Sequence, residues 1–208
     1  MKQNITTYIL CGFFIITAAA IQAITYLNTD SAWLVESAVK LLFGQDLYTD
    51  YIETNPPFIV YFTCIPVWLG GLVGLAPYNS FKLFVMLLVL LSAKQSFKYL
   101  PSNFLKIAVV TGLFLLPVQS FGQREHLFLA LIMPYFLSVF YNKKATGIDI
   151  TMALISYLLK PYFIVYFIGL ALWQKIIMKR PILISDNFII TGVVPTGTVT
   201  RRSRGMIP

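Results

Sequence analysis

The stretch NTDSAWLVESAVKLLFGQDLYTDYIETNPP, residues 28–57, determines how the fold of this chain is interpreted. It holds five of the eight acidic residues of the chain and only one lysine. Apolar segments that approach the length of a membrane helix lie on both sides of it. The pattern predicts a polar loop between membrane helices. In a membrane enzyme, catalytic residues would lie in such a loop.

The composition of the whole chain indicates an all-α, polytopic membrane protein. Hydrophobic residues make up 58% and charged residues 12% of the sequence, and the mean hydropathy is +0.76. Soluble domains carry about a quarter charged residues. The net charge of +8 does not predict a nucleic-acid partner, because most basic residues flank apolar segments and would orient helices in the membrane. Cys11 and Cys64 lie in apolar surroundings without metal or disulfide spacing.

Apolar segments occupy most of the first 175 residues. They lie at about 8–27, 57–76, 80–93, 105–121, 127–141 and 150–174. The first could be a signal peptide, with Ala18 to Ala20 near a cleavage site. It stays apolar beyond those alanines and is long for such a peptide, so we expect an uncleaved helix.

Two of these segments are poor candidates for straight spanning helices. Segment 57–76 contains Pro66 and the pair Gly70-Gly71, which predict a re-entrant or interfacial hairpin on the outer side. Segment 150–174 contains Lys160-Pro161 at its middle, which predicts a break into two short helices. A single kinked helix with Lys160 reaching to the interface is the alternative.

This layout distributes the basic residues unequally, nine on one side and four on the other. The nine are Lys2, Lys94, Lys98, Lys106, Lys143, Lys144, Lys175, Lys179 and Arg180, and the four are Lys40, Lys82, Arg124 and Lys160. Positive charge accumulates on the cytoplasmic side of membrane proteins. The split therefore predicts about six crossings of the plasma (inner) membrane, a cytoplasmic N-terminus, and an outer face shared by 28–57, 122–126 and 160–162.

Within the outer loop, residues 31–43 have the pattern of a short amphipathic helix lying at the membrane surface. Trp33 would anchor it at the interface, and Gly44 suits its C-terminal stop. Asp30 precedes the helix. It could be the N-cap, or a general base or metal-binding carboxylate at the mouth of a cavity, and the two roles are compatible.

Residues 122–126 (GQREH) place three ionisable side chains in a row at the start of a helix. Such groups in a membrane protein usually mark a functional site, although a solvated interhelical turn is the alternative. Arg124 could hold a phosphate through two parallel hydrogen bonds, and Glu125 is favoured by the helix dipole. His126, the single histidine, is a weak metal candidate.

Lys160 could neutralise a diphosphate as a point charge. Tyr162 would line the same region.

These features together resemble the first outer loop of the GT-C glycosyltransferases, membrane enzymes that use polyprenyl-phosphate sugars and are related to protein O-mannosyltransferases and aminoarabinose transferases. The first-loop match consists of Asp30, Trp33, residues 38–42, Gly44, Leu47-Tyr48, Asp50, Glu53 and Asn55-Pro56-Pro57. Residues 122–126 and 158–162 (LLKPY) are similar to the second outer loop and the lysine-containing helix break of bacterial members. The resemblance covers about residues 5–175.

The resemblance implies a glycosyl transfer from a polyprenyl-phosphate-linked donor, with membrane lipid as the other partner. It implies that Asp30 is the catalytic carboxylate, that Glu125 is a second catalytic group, and that Lys160 with Arg124 contacts the lipid phosphate. The candidate substrate-binding set is Arg124, His126, Lys160, Tyr162, Asp50 and Glu53. A divalent metal stays open as a cofactor, and no metal ligands are assigned. Cationic stabilisation of a phosphate leaving group and a base for the acceptor make this scheme coherent.

The expected organisation is a membrane module over residues 1–180, with an outer loop at 28–79, and an atypical polar, basic and disordered tail at 181–208. Family enzymes are longer. The chain is therefore expected to be a truncated or frame-disrupted member, which could be inactive, or one part of a split protein completed by a second polypeptide. The alternative function is a non-catalytic membrane subunit or a lipid-carrier flippase. An ion-coupled transporter is a weaker alternative, because no paired broken helices are evident.

Overall fold

A computed structural model describes residues 2–51 and 53–177 of the chain. The regular structure of these residues is helical, as predicted, apart from one bridge between Leu47 and Tyr51. The helices are α1 (Lys2–Ile24), α2 (Thr29–Leu42), α3 (Pro57–Leu72), α4 (Pro77–Phe97), α5 (Asn103–Val110), a π-helical turn (Thr111–Leu115), α6 (Arg124–Phe140), α7 (Gly147–Leu159), a 3-10 turn (Pro161–Phe163) and α8 (Ile164–Ile176). The predicted tail at 181–208, and Lys179 and Arg180, lie outside the described residues.

The chain forms two compact units, one ending at Tyr166 and one beginning at Phe167. The second contains the C-terminal part of α8.

One end of the helices in the first unit is formed by residues 22–31, 76–82 and 116–126, and is called the loop end here. Lys82 joins α4 to the end of α1, since its Nζ donates to the carbonyls of Gln22 (2.8 Å) and Thr25 (2.5 Å). Asn28 Nδ2 donates to the carbonyl of Gln119 at 3.1 Å. A cation at the C-terminus of α1 is favoured by the helix dipole and satisfies carbonyls that the helix leaves free.

The opposite end, called the lysine end, contains residues 94–106 and 141–149. Lys143 Nζ donates to the carbonyls of Lys98 and Tyr99, both at 3.3 Å, at the C-terminus of α4. The buried Asp149 forms a capping box with Thr146 at the start of α7 and accepts a hydrogen bond from the Tyr99 hydroxyl at 2.5 Å. Burial and that hydrogen bond raise the pKa of Tyr99 to about 12. This end holds several of the lysines that the sequence assigns to the cytoplasm.

Two helices of the described part are long and apolar enough to cross a membrane, Ile5–Ile24 and Pro77–Phe97. Shorter apolar helices occur at Pro57–Leu72, Asn103–Leu115, Gly147–Leu159 and Pro161–Ile176. On α1, Ile9, Phe13 and Ile16 lie on the surface with 65%, 61% and 70% of their area exposed. Large apolar side chains exposed along one helix are typical of a surface that contacts lipid or another protein. These features support membrane association.

Helix α2 occupies the predicted position within two residues, from Thr29 to Leu42. It ends as predicted at Gly44, which has a φ of +85°. The Gly44 N–H reaches the carbonyl of Leu41 at 3.1 Å, and the Gln45 N–H reaches that of Lys40 at 3.1 Å. These are the bonds of a glycine-terminated helix.

The predicted hairpin within residues 57–76 requires correction. Residues 57–72 form one continuous helix, α3, that runs through Pro66 and packs against α2 and α4. Pro57 suits the first turn, where no N–H partner is needed. Chain reversal occurs only after the helix, at Gly74 with its φ of +74°. Packing on both neighbours compensates for the hydrogen bond that Pro66 removes.

The predicted break at Lys160 is confirmed, and the single kinked helix is excluded. Helix α7 ends at Leu159, and Lys160 has an extended backbone with φ −154° and ψ 126°. The ring of Pro161 disfavours a helical conformation in the residue before it. The chain then makes the 3-10 turn before α8 begins.

Candidate functional site

The candidate site is a cluster of charged groups where the start of α6 meets the break after α7. Lys160 Nζ lies 2.7 Å from Glu125 Oε1. The ammonium also donates to the Tyr162 hydroxyl and lies 4.7 Å from the centre of the Tyr162 ring. The side chain of Lys160 is 13% exposed, while that of Glu125 is 55% exposed. The structure therefore brings Glu125 together with Lys160 and Tyr162, which lie 35 and 37 positions later in the sequence.

Glu125 and Lys160 each stabilise the charged form of the other. Burial alone would raise the pKa of Glu125, but the hydrogen bond from Lys160 and nearby positive charge outweigh it and leave the pKa below 4.5. Burial alone would lower the pKa of Lys160, but its bonds to Glu125 and Tyr162 leave the pKa above 10.5. Both groups are therefore charged at neutral pH.

Arg124 adds a second cation next to this pair. It is the first residue of α6, where Gln123 is the N-cap without a side-chain capping bond. Arg124 affects the pKa of both Glu125 and Lys160 through its charge. Two cations and one carboxylate leave the cluster with a net positive charge. Such a cluster can bind an anion such as a phosphate.

Asp30 is exposed at the loop end, but it is not the N-cap of α2. That role belongs to Asn28, whose side chain accepts the N–H of Ser31 at 2.9 Å. Ser31 Oγ in turn donates to the carbonyl of Phe121 at 3.2 Å, so the start of α2 lies against the segment that leads into α6. In the described part of the chain, the side chain of Asp30 makes no hydrogen bond or ion pair. Its carboxylate therefore faces solvent at the same end as the cluster.

Gly122 allows the turn before α6 to lie close to α2 and α4. Its φ is +76°, and a Cβ there would lie 2.6 Å from Phe81 Cε1 and 3.5 Å from Ser31 Oγ. A side chain would both strain the backbone and separate α4 from the turn.

Glu53, predicted to bind substrate, is buried and hydrogen-bonded within the protein. It is 4% exposed. One oxygen accepts from Trp33 Nε1 (2.8 Å) and Ser37 Oγ (3.0 Å), and the other from the main-chain N–H (2.8 Å) and the amide (2.6 Å) of Asn55. Four donors leave no capacity for a ligand. The predicted interfacial anchor Trp33 is thus tied to the loop through its indole N–H.

Asp50 also has a local role, although it is exposed. Its Oδ2 accepts the N–H of Asp46 at 2.7 Å and holds the turn after α2. The structure does not place Asp50 or Glu53 in the cluster around Lys160.

His126, predicted to bind substrate, is also buried and hydrogen-bonded within the protein. It is 4% exposed, and both ring nitrogens are engaged. Nδ1 accepts the N–H of Gly122 at 3.1 Å, and Nε2 lies 2.9 Å from the carbonyl of Leu113, to which it must donate. Burial lowers the pKa of His126, so the ring is neutral at neutral pH. It connects the π-helical turn to the start of α6.

A cavity of about 630 Å³ lies at the loop end, and none of the predicted site residues lines it. Its lining consists of Ala23, Ile24, Thr25, Tyr26, Leu27, Ala32, Ala76, Tyr78, Asn79 and Lys82. The sequence predicts Lys82 only as an outer-side charge. A lysine soon after Pro77 in an apolar helix is a signal that marks Lys82 as a candidate, but it does not identify the groups that Lys82 contacts.

Within the described residues, no group of three or more His, Cys, Asp or Glu is arranged to hold a metal ion. No protein-family model, curated protein or solved structure matches the chain.

Proposed function

We propose that the chain is a GT-C-like membrane module that transfers a sugar from a polyprenyl-phosphate-linked donor to an acceptor on the outer face of the plasma membrane. In this proposal the chain crosses the membrane about six times, its N-terminus is cytoplasmic, and the loop end faces outwards. The observation that carries the proposal is the cluster of Arg124, Glu125 and Lys160 at the helix break, at the end of the helices that also presents Asp30.

Each group has a defined role in the proposed reaction. The acceptor oxygen bonds to the anomeric carbon while the bond from that carbon to the phosphate oxygen breaks, and polyprenyl phosphate leaves. Asp30 takes the proton of the acceptor hydroxyl. Lys160 and Arg124 stabilise the negative charge of the leaving phosphate. Glu125 holds Lys160 in place and provides a carboxylate beside an oxocarbenium-like centre.

The exposure of the groups supports these roles. Asp30 is exposed and, among the described residues, unpaired, as a base must be before the acceptor binds. Lys160 is largely buried and fixed by Glu125 and Tyr162. A fixed cation needs little reorganisation when charge develops on a phosphate oxygen.

Asp30→Asn tests the proposal. Membranes that contain the full chain and a radiolabelled polyprenyl-phosphate sugar are assayed for sugar transfer, with Asp46→Asn as the matched control, since Asp46 is an exposed carboxylate of the same loop. We expect Asp30→Asn to lower transfer about a hundredfold or more and Asp46→Asn to leave it unchanged. Equal transfer by the wild type and Asp30→Asn would remove Asp30 from the mechanism.

The second candidate function is a lipid-carrier flippase or a non-catalytic subunit. The positive charge of the cluster favours it, because that charge can bind a phosphate head group without any role for Asp30. It needs a cationic head-group site but no base. Carrier translocation that is lost in Lys160→Gln and Arg124→Gln but retained in Asp30→Asn would identify this function.

A further inference from the structure

We propose that the lysine end contains a binding site for the phosphate group of an anionic phospholipid. The site is a cavity of about 740 Å³ between the start of α1 and the start of α5. It is lined by Thr6, Thr7, Leu10, Pro101, Ser102, Asn103, Lys106 and Ile107. This volume is within the range of about 300–1,000 Å³ that small-molecule sites occupy. The site is distinct from the cluster at Lys160, which lies at the opposite end of the helices.

The charge of the cavity favours an anion. Lys106 is the charged residue among the eight that line it, and none of the eight is acidic. Its ammonium lies 5.9 Å from the centre of the Phe97 ring. In the described part of the chain it makes no hydrogen bond and no ion pair.

Two other lysines at this end are already engaged. Lys98 pairs with Asp149 at 3.7 Å, and Lys143 binds the carbonyls at the end of α4. A half-buried ammonium without an anionic partner leaves Lys106 available to a phosphate as a compact point charge.

The lining also supplies a hydroxyl group, that of Ser102, suited to a phosphate oxygen. Ser102 is the N-cap of α5, where its Oγ accepts the N–H of Leu105 at 3.3 Å. That bond does not use the hydroxyl hydrogen, which can donate to a ligand. Thr6 and Asn103 lie on the two sides of the cavity and belong to α1 and α5.

The surroundings favour a lipid over a soluble phosphate. Leu10 and Ile107 give the cavity an apolar wall. Ile5, Ile9 and Phe104 beside it are large apolar side chains on the surface. A head group at Lys106 would therefore have apolar surface beside it for its acyl chains. Basic residues at the cytoplasmic interface attract anionic lipids.

Lipid retention by the full chain purified in detergent tests the site. Native mass spectrometry measures the binding of phosphatidylglycerol and phosphatidylcholine to the wild type and to Lys106→Gln, Lys106→Arg and Lys144→Gln. Lys144 is the matched control, because it is an exposed lysine of the same end that does not line the cavity.

We expect one phosphatidylglycerol to bind in preference to phosphatidylcholine. Lys106→Gln should weaken that binding about tenfold or more, Lys106→Arg should retain it, and Lys144→Gln should change it less than about twofold.

Two results would overturn the inference. One is phosphatidylglycerol binding by Lys106→Gln equal to that of the wild type, with helical content verified by circular dichroism. The other is displacement of the lipid by inorganic phosphate at equal concentration, which would indicate a soluble ligand. Sugar transfer takes no part in this experiment, so its outcome is independent of the proposed function.

Discussion

At the scale of single residues, Glu53 and Glu125 show how partners determine the role of a carboxylate. Glu53 is buried and accepts four hydrogen bonds, whereas Glu125 is exposed and pairs with one cation. In the sequence both are acidic residues beside aromatic and polar neighbours. The sequence therefore predicted both as site residues. Two of the four donors to Glu53 come from Trp33 and Ser37 on α2, and contacts of this kind are not evident from spacing alone.

Glu53→Ala should destabilise the protein strongly, because the indole of Trp33, the hydroxyl of Ser37 and the amide of Asn55 would lose their acceptor. We expect a loss of about 2 to 5 kcal/mol in the free energy of unfolding. Thermal unfolding in detergent measures it. Asp46→Ala is the control, with an expected change within about 0.5 kcal/mol. Similar unfolding of both variants would show that the network around Glu53 contributes little.

The ion pair of Glu125 and Lys160 should stabilise the protein at intermediate pH and lose its contribution at low and at high pH. The pKa of Glu125 is lowered, so its contribution to stability is complete above the ordinary value of 4.5 and is lost as the pH falls through the folded value. The pKa of Lys160 is raised, so its contribution is complete below 10.5 and is lost as the pH rises through the folded value.

Amine acetylation measures this effect at Lys160. In the wild type, Lys160 should react more slowly than the exposed Lys144 at alkaline pH, and Glu125→Gln should reduce that difference. If Lys160 and Lys144 react equally in the wild type, the pair does not hold the ammonium.

At the scale of helices, Pro66 and Pro161 have opposite effects on the chain. Pro161 ends α7, and the extended backbone it imposes brings Lys160 to Glu125. Pro66 lies within α3, which continues through it because the helix packs on both α2 and α4. The sequence predicted a disruption at both places. Tertiary packing decides between them, which explains why only one prediction was correct.

The adjacent glycines of α3 provide a matched test of its packing on α4. A Cβ at Gly70 would collide with the side chain of Ser80, whereas a Cβ at Gly71 would meet open space. Gly70→Ala should therefore destabilise the protein by about 1 to 3 kcal/mol. Gly71→Ala should be neutral or stabilise it by up to about 1 kcal/mol through helix propensity. Thermal unfolding of both variants measures the difference, and equal melting temperatures would contradict the packing of α3 on α4.

At the scale of the whole molecule, the two ends of the first unit differ in the chemistry they present. The loop end holds Asp30, Glu125 and Lys160, and the lysine end holds Lys98, Lys143 and their partners. The sequence predicted this grouping from the distribution of basic residues. The sites of the two cavities, and the use of Lys82 to join α1 to α4, could not be predicted, because they depend on how neighbouring helix ends meet.

Cysteine labelling of intact cells tests the arrangement of these ends in the membrane. In a Cys11→Ser, Cys64→Ser background, Asn79→Cys and Gln119→Cys at the loop end should react with an impermeant maleimide. Ser102→Cys and Lys144→Cys at the lysine end should react only after the cells are opened. All four native residues are exposed. Labelling of Ser102→Cys from outside would overturn the proposed orientation.

The π-helical turn at Thr111–Leu115 determines which side of α5 faces its neighbours. The Leu116 N–H bonds to the carbonyl of Thr111, five residues back, at 3.1 Å. The wider turn thus accommodates one residue more than an α-helical turn, and each residue of an α-helix corresponds to a rotation of about 100° about its axis. Removal of Gly112 would restore an ordinary α-helical turn. It would also rotate α5 by that angle about its axis relative to Leu113, whose carbonyl accepts a hydrogen bond from the imidazole of His126. The extra residue therefore sets the rotation of α5 about its own axis. With that rotation, the Leu113 carbonyl reaches the imidazole of His126 while Lys106 lines the cavity at the start of the helix.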